Sequence, residues 1–445
     1  MGNETKNKID LKEKLLTEFI AFEKTLNGAA SNHINNIRKE ARNYFESLGF
    51  PDRKDEEWKY TKTNSITKYD FSQSFSKEES DISERDVEKF LIPDLETNTI
   101  VLINGIYSNK LSKIISDPKE VSVCGFSEAQ KKHPEIFYNH FAKYANYKND
   151  GFTALNTAFA YNGVFIYVHK DVELKEPLLV INITDSKTPN LLSQQRNLIV
   201  AEKGSHLSII DSYETIGNNY NFLNTVTEIS AGENSNVHYY KIQNDGNKSI
   251  HVGTTQVHQE KDSHFNSVTV SWGGNITRNN LNSFLNGTRC ESHMYGTFVL
   301  SGEQHVDNHT LVDHSVPNCY SNELYKGILD DTSTGVFNGK VMVRKDAQKT
   351  NAYQSNKNIL LTDTATINTK PQLEIFADDV KCSHGATTGQ LNKEELFYLR
   401  TRGIDEDEAK AMLLYAFASE VIQTIEISPL RNILFDKLNE KLKRG

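Results

Sequence analysis

Between Thr369 and Gln390 the chain reads TKPQLEIFADDVKCSHGATTGQ, with a thiol at Cys382 and an imidazole at His384, just beyond the paired carboxylates of Asp378 and Asp379. In an extended segment, residues two apart point to the same side with Cβ atoms roughly 6.5 to 7 Å apart, so the two groups can be presented together. Thiolate plus imidazole is a soft donor pair suited to iron, zinc or copper. A closed structural site takes four donors. The missing ones must come from elsewhere in the chain or from a partner chain; otherwise the pair is a buried structural cysteine beside a hydrogen-bonded histidine. Spacing alone leaves both readings open. The alternation of Leu373, Ile375 and Ala377 predicts a strand with one buried face leading into the pair, and Gly385 and Gly389 are expected to loosen the backbone around it.

Ten of the fourteen histidines lie between His169 and His314. The densest run, HVDNHTLVDHSVPNC, holds His305, Asp307, His309, Asp313, His314 and Cys319. Read as a strand, it places His305, Asp307, His309, Leu311 and Asp313 on one side and His314 on the other, so a single metal site here would need a bend. Histidine and asparagine ladders stacked in a solenoid account for the same residues without metal. Cys290, in NGTRCESHMYG, reads as a small buried hydrophobe. The chain contains neither G-x-S-x-G nor G-x-G-x-x-G, and GVFNGKV, with Gly335, Gly339 and Lys340, lacks the spacing of a phosphate-binding loop. ATP is therefore not expected on this chain, and a nucleotide-driven step would belong to a partner.

These groups must be positioned by the rest of a 445-residue chain, long enough for two or three structural units. Residues 9–49 carry helical periodicity, first at Leu11, Leu15, Leu16, Phe19, Ile20 and Phe22, then at Ile34, Ile37, Ala41, Tyr44, Phe45 and Leu48, stopped by Gly49 and Pro51. PDRKDEEWKYTKTNSI reads as a solvated loop with an aromatic anchor in Trp58 and Tyr60. Residues 62–97 read as a polar connector with a short helix near 84–90. From Thr99, short segments such as TIVLING, VFIYVHK, LLVINIT and SVTVSW succeed one another, each closed by Asn, Gly, Asp or Ser, with one helical interruption at 134–161. Such a succession fits a double sheet or a solenoid of stacked coils, and strand spacing does not separate the two.

Helical periodicity returns after Gln390. Asn392 and Glu395 form a capping pair for LNKEELFYLRTR, which Gly403 stops, and Asp405 caps the next helix. Ser428 and Pro429 are expected at N-cap and N1 of the last. These helices carry more apolar surface than so small a unit needs, which predicts packing on the β unit, with a partner groove as the alternative. The division that follows is a helical unit and connector at 1–97, a β core at 98–390 and a C-terminal helical unit at 391–445.

Composition excludes several classes. A formal charge of -9 without a long basic run argues against a nucleic-acid surface. No apolar stretch reaches the roughly 18 residues of a membrane span. The start, MGNETKNKIDLKEKLL, lacks the apolar core of a secretory signal, and Lys6 stands where the pattern opened by Met1 and Gly2 needs Ser or Thr for myristoylation. The four cysteines are widely spaced with no CxxC, as expected of a reducing compartment, so the chain is expected to be cytoplasmic.

Several segments, among them NCYSNELYKGILDD, NAYQSNKNILL and FADDVKCSHGATTGQ, together with FTALNTAF, RNLIVAEKGSHLSIIDSY and LGFPDRKDEEWKYT, resemble the SufB/SufD family of scaffold subunits of the SUF iron-sulfur cluster assembly machinery. Two features resemble its SufD branch: IIDSYETIG has no cysteine where SufB carries one in a YVEGC-like segment, and KCSHGAT stands where SufB has an HEA-type segment. The resemblance implies a mainly β fold, a right-handed parallel β-helix core flanked by N-terminal and C-terminal helical units. It also implies a non-enzymatic scaffold that pairs with a SufB-type subunit through the β-helix end and binds the ATPase SufC through the C-terminal helices, with a homodimer when partners are absent. His384, and after it Cys382, would serve as metal ligands to a transient iron-sulfur cluster at that interface, with SufB completing the donors. A flavin is associated with complexes of this kind, but no residues here are identified to bind one. The rival readings are a β-solenoid polysaccharide-active enzyme and a self-contained zinc protein built on His305, His309 and His314.

Overall fold

The computed structural model describes residues 10–26, 32–73 and 80–443. Met1, Gly2 and Lys6, the predicted helix start at residue 9 and part of the polar connector (74–79) lie outside them. Strands from Ser72–Gln73 to Lys381–Gly389 form two sheets, of 11 and 10 strands, to which those from Gly163–Val168 to Asn351–Leu360 contribute alternately, and nearly all neighbours run parallel. Past the helical insertion, register partners lie one coil apart in sequence, at the short end Ile250 with Ile276 and at the long end Gly163 with Arg196. The result is a parallel β-helix with two broad faces. Its strands resemble parallel-sheet strands generally in being buried on both sides, as in Asn221–Ala231, where all eleven residues are buried.

One core lies between the two sheets, where Ile166, Leu178, Ile199, Ile209, Val237, Phe265 and Met294 pack coil upon coil. It is not wholly apolar. Asn182 donates to Asp211 at 2.7 Å, and Asn279 donates to Gln243 at 2.8 Å and to Asn308 at 3.1 Å, so polar side chains satisfy one another both along the coil axis and between the sheets.

Helices seal both outer faces. Leu11–Thr25, capped by Asp10, and Asn32–Leu48 cover one sheet together with Gly151–Ala158, burying Leu15, Phe19, Phe45, Phe152 and Leu155 against Leu192, Phe222 and Ile250. Ile20, expected on the apolar stripe, is instead 52% exposed, and Leu48 is also exposed. Gly151 permits the tight seam: a Cβ there would lie 1.9 Å from the carbonyl oxygen of Gly49. The helical insertion begins earlier than 134, with Phe126–Lys132 ahead of Pro134–His140.

On the other sheet, Glu406–Ile422 and Ser428–Leu442 bury Leu414, Ala418, Val421, Leu430 and Leu434 against Val268, Val270 and Trp272. Ile427, not Ser428, occupies the N-cap of the last helix, and the Ser428 hydroxyl faces the Arg431 guanidinium at 3.2 Å. Lys393–Thr401 differs from both. Its N-cap Asn392 accepts the N–H of Glu394 at 2.9 Å, yet no residue of this helix is buried.

Candidate functional site at the end of the solenoid

Lys381–Gly389 is the edge strand of the 10-stranded sheet, paired on one side with Asn351–Leu360 and with no strand on the other among the described residues. The register puts Cys382 beside Ala352, His384 beside Gln354, Ala386 beside Asn356 and Thr388 beside Asn358. All four of those partners are buried and alternate with more exposed neighbours, so Cys382 and His384 lie on the inward side of the final coil. The jointly presented pair expected from their spacing is therefore present. Cys382 is half-buried against Val341, Val343, Ala352 and Ala377, and this burial pushes its thiol pKa up. His384, one step further along the strand, is exposed.

The residues around the pair hold regular positions. Asp378 and Asp379 are exposed in the turn before the strand, where the Asp379 carbonyl accepts the Lys349 N–H at 2.6 Å, and they do not join the pair. Gly385 and Gly389 lie within the extended strand, and a Cβ on either would meet nothing within 4 Å.

Beneath His384 the inward row continues through Gln354 to Glu323. Glu323 is 1% exposed. One carboxyl oxygen, Oε2, accepts from Thr310 and Gln354, each at 2.9 Å, while Oε1 has no partner among the described residues. Gly339 makes room for Gln354, whose amide nitrogen lies 2.3 Å from where a Cβ would stand. Burial without a cationic partner pushes the Glu323 pKa up to about 7.

A raised carboxyl pKa means that the folded chain holds a proton that the unfolded chain has released. Glu323 therefore costs no stability below its ordinary pKa of 4.5 and a growing amount as pH climbs to about 7. The cost is on the order of 3 kcal/mol. Glu323→Gln, which imitates the protonated acid, is expected to unfold at the same urea concentration as the wild type near pH 4.5 and at a higher one above pH 7.

The histidine-rich run forms a different structure from a metal centre. His305 and His309 lie on the outer side of the opposite sheet and engage the EEWKYT segment: His305 Nε2 is 2.8 Å from the Thr61 hydroxyl, and His309 Nδ1 is 3.2 Å from Glu57. Between them Asp307 accepts from Thr61 and, at 2.6 Å, from Arg278, which also lies over the Trp58 ring at 4.4 Å. The bond with His309 is the largest influence holding the Glu57 carboxyl down at about 2. His314 points the other way, into the coil, 2.9 Å from Ser321, and burial lowers its pKa to about 4. The two-sided reading of this strand holds, and His305, His309 and His314 do not converge. Among the described residues no three His, Cys, Asp or Glu form a metal-holding group.

The same segment braces the final coil. Glu56 pairs with Lys370, and Lys340 lies 3.8 Å from Glu57 and 3.2 Å from Glu374. The loop anticipated around Trp58 is thus anchored as expected by a buried aromatic, and its acidic residues bind the coil that carries Cys382 and His384. Nothing in the local sequence marks Glu57 for this role, because its partner His309 lies 252 residues away. Cys290 and Cys319 are core residues on neighbouring coils, both within reach of the Gly287 carbonyl, at 3.0 and 3.3 Å. Gly335, Gly339 and Lys340 lie in the regular strand Thr334–Val343.

A family model described as "SUF system FeS cluster assembly, SufBD core domain" matches residues 182–417, and one described as "SufBD protein N-terminal region" matches 9–180. The chain belongs to the SufBD family. It is 33% identical to a SufBD family protein of Synechocystis sp. (strain ATCC 27184 / PCC 6803 / Kazusa) over 92% of this chain and 91% of that one. It is 28% identical to the SufD protein of Escherichia coli (strain K12) over 89% of this chain and 90% of that one, and 26% identical to the SufD protein of Bacillus subtilis (strain 168) over 75% and 76%. The two SufBD family models meet inside the strand Leu178–Asp185, so their junction lies within the solenoid and between no two structural units. No helix of this SufBD chain, among the described residues, is long and apolar enough to cross a membrane.

Proposed function

We propose that this SufBD chain is a SufD-type, non-enzymatic scaffold subunit for iron-sulfur cluster assembly, and that a nascent cluster is built as cargo where its terminal coil meets a SufB-type subunit. The observation that carries this reading is the edge strand Lys381–Gly389, unpaired on one side among the described residues, with Cys382 and His384 on one side of it. An unpaired edge is a template for another sheet, and a continuous coil-on-coil junction would bring partner donors to a site that has two of its own. The nearby surface suits such burial: Phe376 is 62% exposed.

The second surface is the helix Lys393–Thr401, where Phe397 and Tyr398 are 70% and 57% exposed and Tyr398, Leu399 and Leu413 line a shallow groove. We assign it to a SufC-type ATPase. The helix follows directly on the edge strand, so force applied there reaches the cluster-building strand through the short connection at 390–392. Nucleotide-driven dimerisation of the ATPase would then open the junction and free the Cys382 thiol to exchange its proton for metal. Localisation in the cytoplasm and the absence of ATP on this chain belong to the same reading, which assigns no residue to a flavin.

The test is to purify the chain with its SufB-type and SufC-type neighbours and follow thiol labelling of Cys382 by mass spectrometry. ATP is expected to raise the labelling rate severalfold, with buried Cys290 and Cys319 unchanged as internal controls. An ATP-independent rate, or failure of the three chains to co-purify, overturns the proposed arrangement.

A further inference from the structure

The inward row that ends at His384 changes character on its way to the open end. Met294 stands beside Glu323, Glu323 beside Gln354 and Gln354 beside His384, with about 4.8 Å at each step. The row is apolar at Met294 and polar from Glu323 to the edge. Gln354 is buried, and the orientation of its amide follows from chemistry: a carboxylate only accepts, so Glu323 takes the amide nitrogen, at 2.9 Å. Thr310, reaching across from the opposite sheet, donates to the same carboxyl oxygen at 2.9 Å and holds it in place.

That orientation leaves the other end of the amide, Oε1, buried and without a donor among the described residues. Buried acceptors are nearly always paired. Two neighbouring donors are already spent: the Asn356 amide on the Tyr325 carbonyl, at 3.1 Å, and on Asn358, at 3.5 Å, and the Thr310 hydroxyl on Glu323. The next side chain in the row is His384, which is exposed and whose ring carries an N–H. Gly339 faces the amide from the opposite sheet, and a Cβ there would stand 2.3 Å from the amide nitrogen, so a larger residue would displace it.

We propose that Gln354, and Glu323 through it, are positioning residues for His384: once the terminal coil is covered, Gln354 Oε1 accepts the N–H of one imidazole nitrogen and leaves the lone pair of the other for iron. This rests on the reading of His384 as a ligand and adds what orients it. An acceptor on the second ring nitrogen fixes both the tautomer and the ring orientation of a ligating histidine. The bond waits for the partner because water competes for the imidazole N–H while the edge is exposed. Glu323 acts at one remove. Without it the amide is free to turn its nitrogen toward His384, where it would donate to the lone pair that iron needs.

The test labels this chain with ¹⁵N-histidine, assembles it with unlabelled SufB-type and SufC-type partners, and reads the ring nitrogens by solid-state NMR before any cluster is loaded, near pH 8, where imidazole is neutral. His384→Ala identifies the signals of that residue by their loss. The wild-type tautomer ratio is expected to differ at least about fivefold from that of free histidine, as one hydrogen bond provides. Gln354→Met and Glu323→Leu should each move it back toward the free value by about threefold or more, and Glu323→Gln, which still offers Gln354 an oxygen, should keep it. After anaerobic loading, Gln354→Met should hold about tenfold less cluster at unchanged co-purification yield. Gly339→Ala, whose methyl displaces the amide without removing it, should shift the ratio the same way and keeps the test decisive if Gln354→Met folds poorly. A ratio indifferent to these variants, as when a buried water satisfies Oε1, overturns the assignment. Normal cluster content in His384→Ala, with the ratio still set by Gln354, overturns the ligand reading instead, so the two failures are distinct.

Discussion

His384→Ala is expected to abolish cluster formation while the complex with the SufB-type and SufC-type subunits assembles in normal yield. The side chain is exposed on an edge strand and its removal touches no packed core, so stability should change by no more than about 0.5 kcal/mol. Loss of a donor, by contrast, should cut assembly more than about a hundredfold, since even the residues that only orient metal ligands are worth about 10–100-fold. The readouts are co-purification yield, cluster absorbance after anaerobic reconstitution, and maturation of an iron-sulfur enzyme in cells. Normal maturation by the variant would remove His384 from the site. Cys382→Ser distinguishes ligand from structural thiol: as a ligand it should match His384→Ala, and as packing alone it should leave assembly near normal.

The largest expected effect on stability lies far from that strand, at Glu228→Ala. Arg196 and Glu228 are both fully buried and meet at 2.6 Å. The carboxylate also accepts the backbone N–H groups of Ala142, Tyr144 and Ala145 at 2.8 to 2.9 Å, and Arg196 reaches on to Thr157 at 2.8 Å. One ion pair thus fastens the helical insertion to the sheet at two points. Removing the carboxylate leaves a buried guanidinium uncompensated and three N–H groups unsatisfied, at a cost of about 3–5 kcal/mol. Urea unfolding should show a lowered midpoint, and limited proteolysis should show new cleavage within 141–150. The double variant Arg196→Met with Glu228→Ala should recover part of the loss, because no buried charge is then left alone. If the double variant is no better than Glu228→Ala, the penalty lies in the lost N–H partners and not in the unpaired arginine.

Much of the organisation is written in local periodicity. The helical recurrence of Leu11, Leu15 and Phe19, the caps at Asn392 and Asp405, and the two-residue spacing of Cys382 and His384 all involve neighbours in sequence, and the structure places them as that spacing requires. Family resemblance in long segments supplied the β-helix, which strand spacing could not. The reason is physical: alternation records that a residue faces inward and is silent about which strand lies beside it, and here each partner is a full coil away.

What only the tertiary structure decided is therefore the set of contacts that cross coils. Glu57 and His309, Arg196 and Glu228, and the row from His384 through Gln354 to Glu323 join residues whose local sequence gives no sign of a partner. Exposure is of the same kind. The apolar residues of Lys393–Thr401 have the same local character as those of Glu406–Ile422, yet the first helix buries none and the second lies on the sheet. Sequence by itself determined that a thiol and an imidazole would share one side of a strand. The end of the coil stack decided that the strand has a free edge, because no further residues of this chain pair with it among those described.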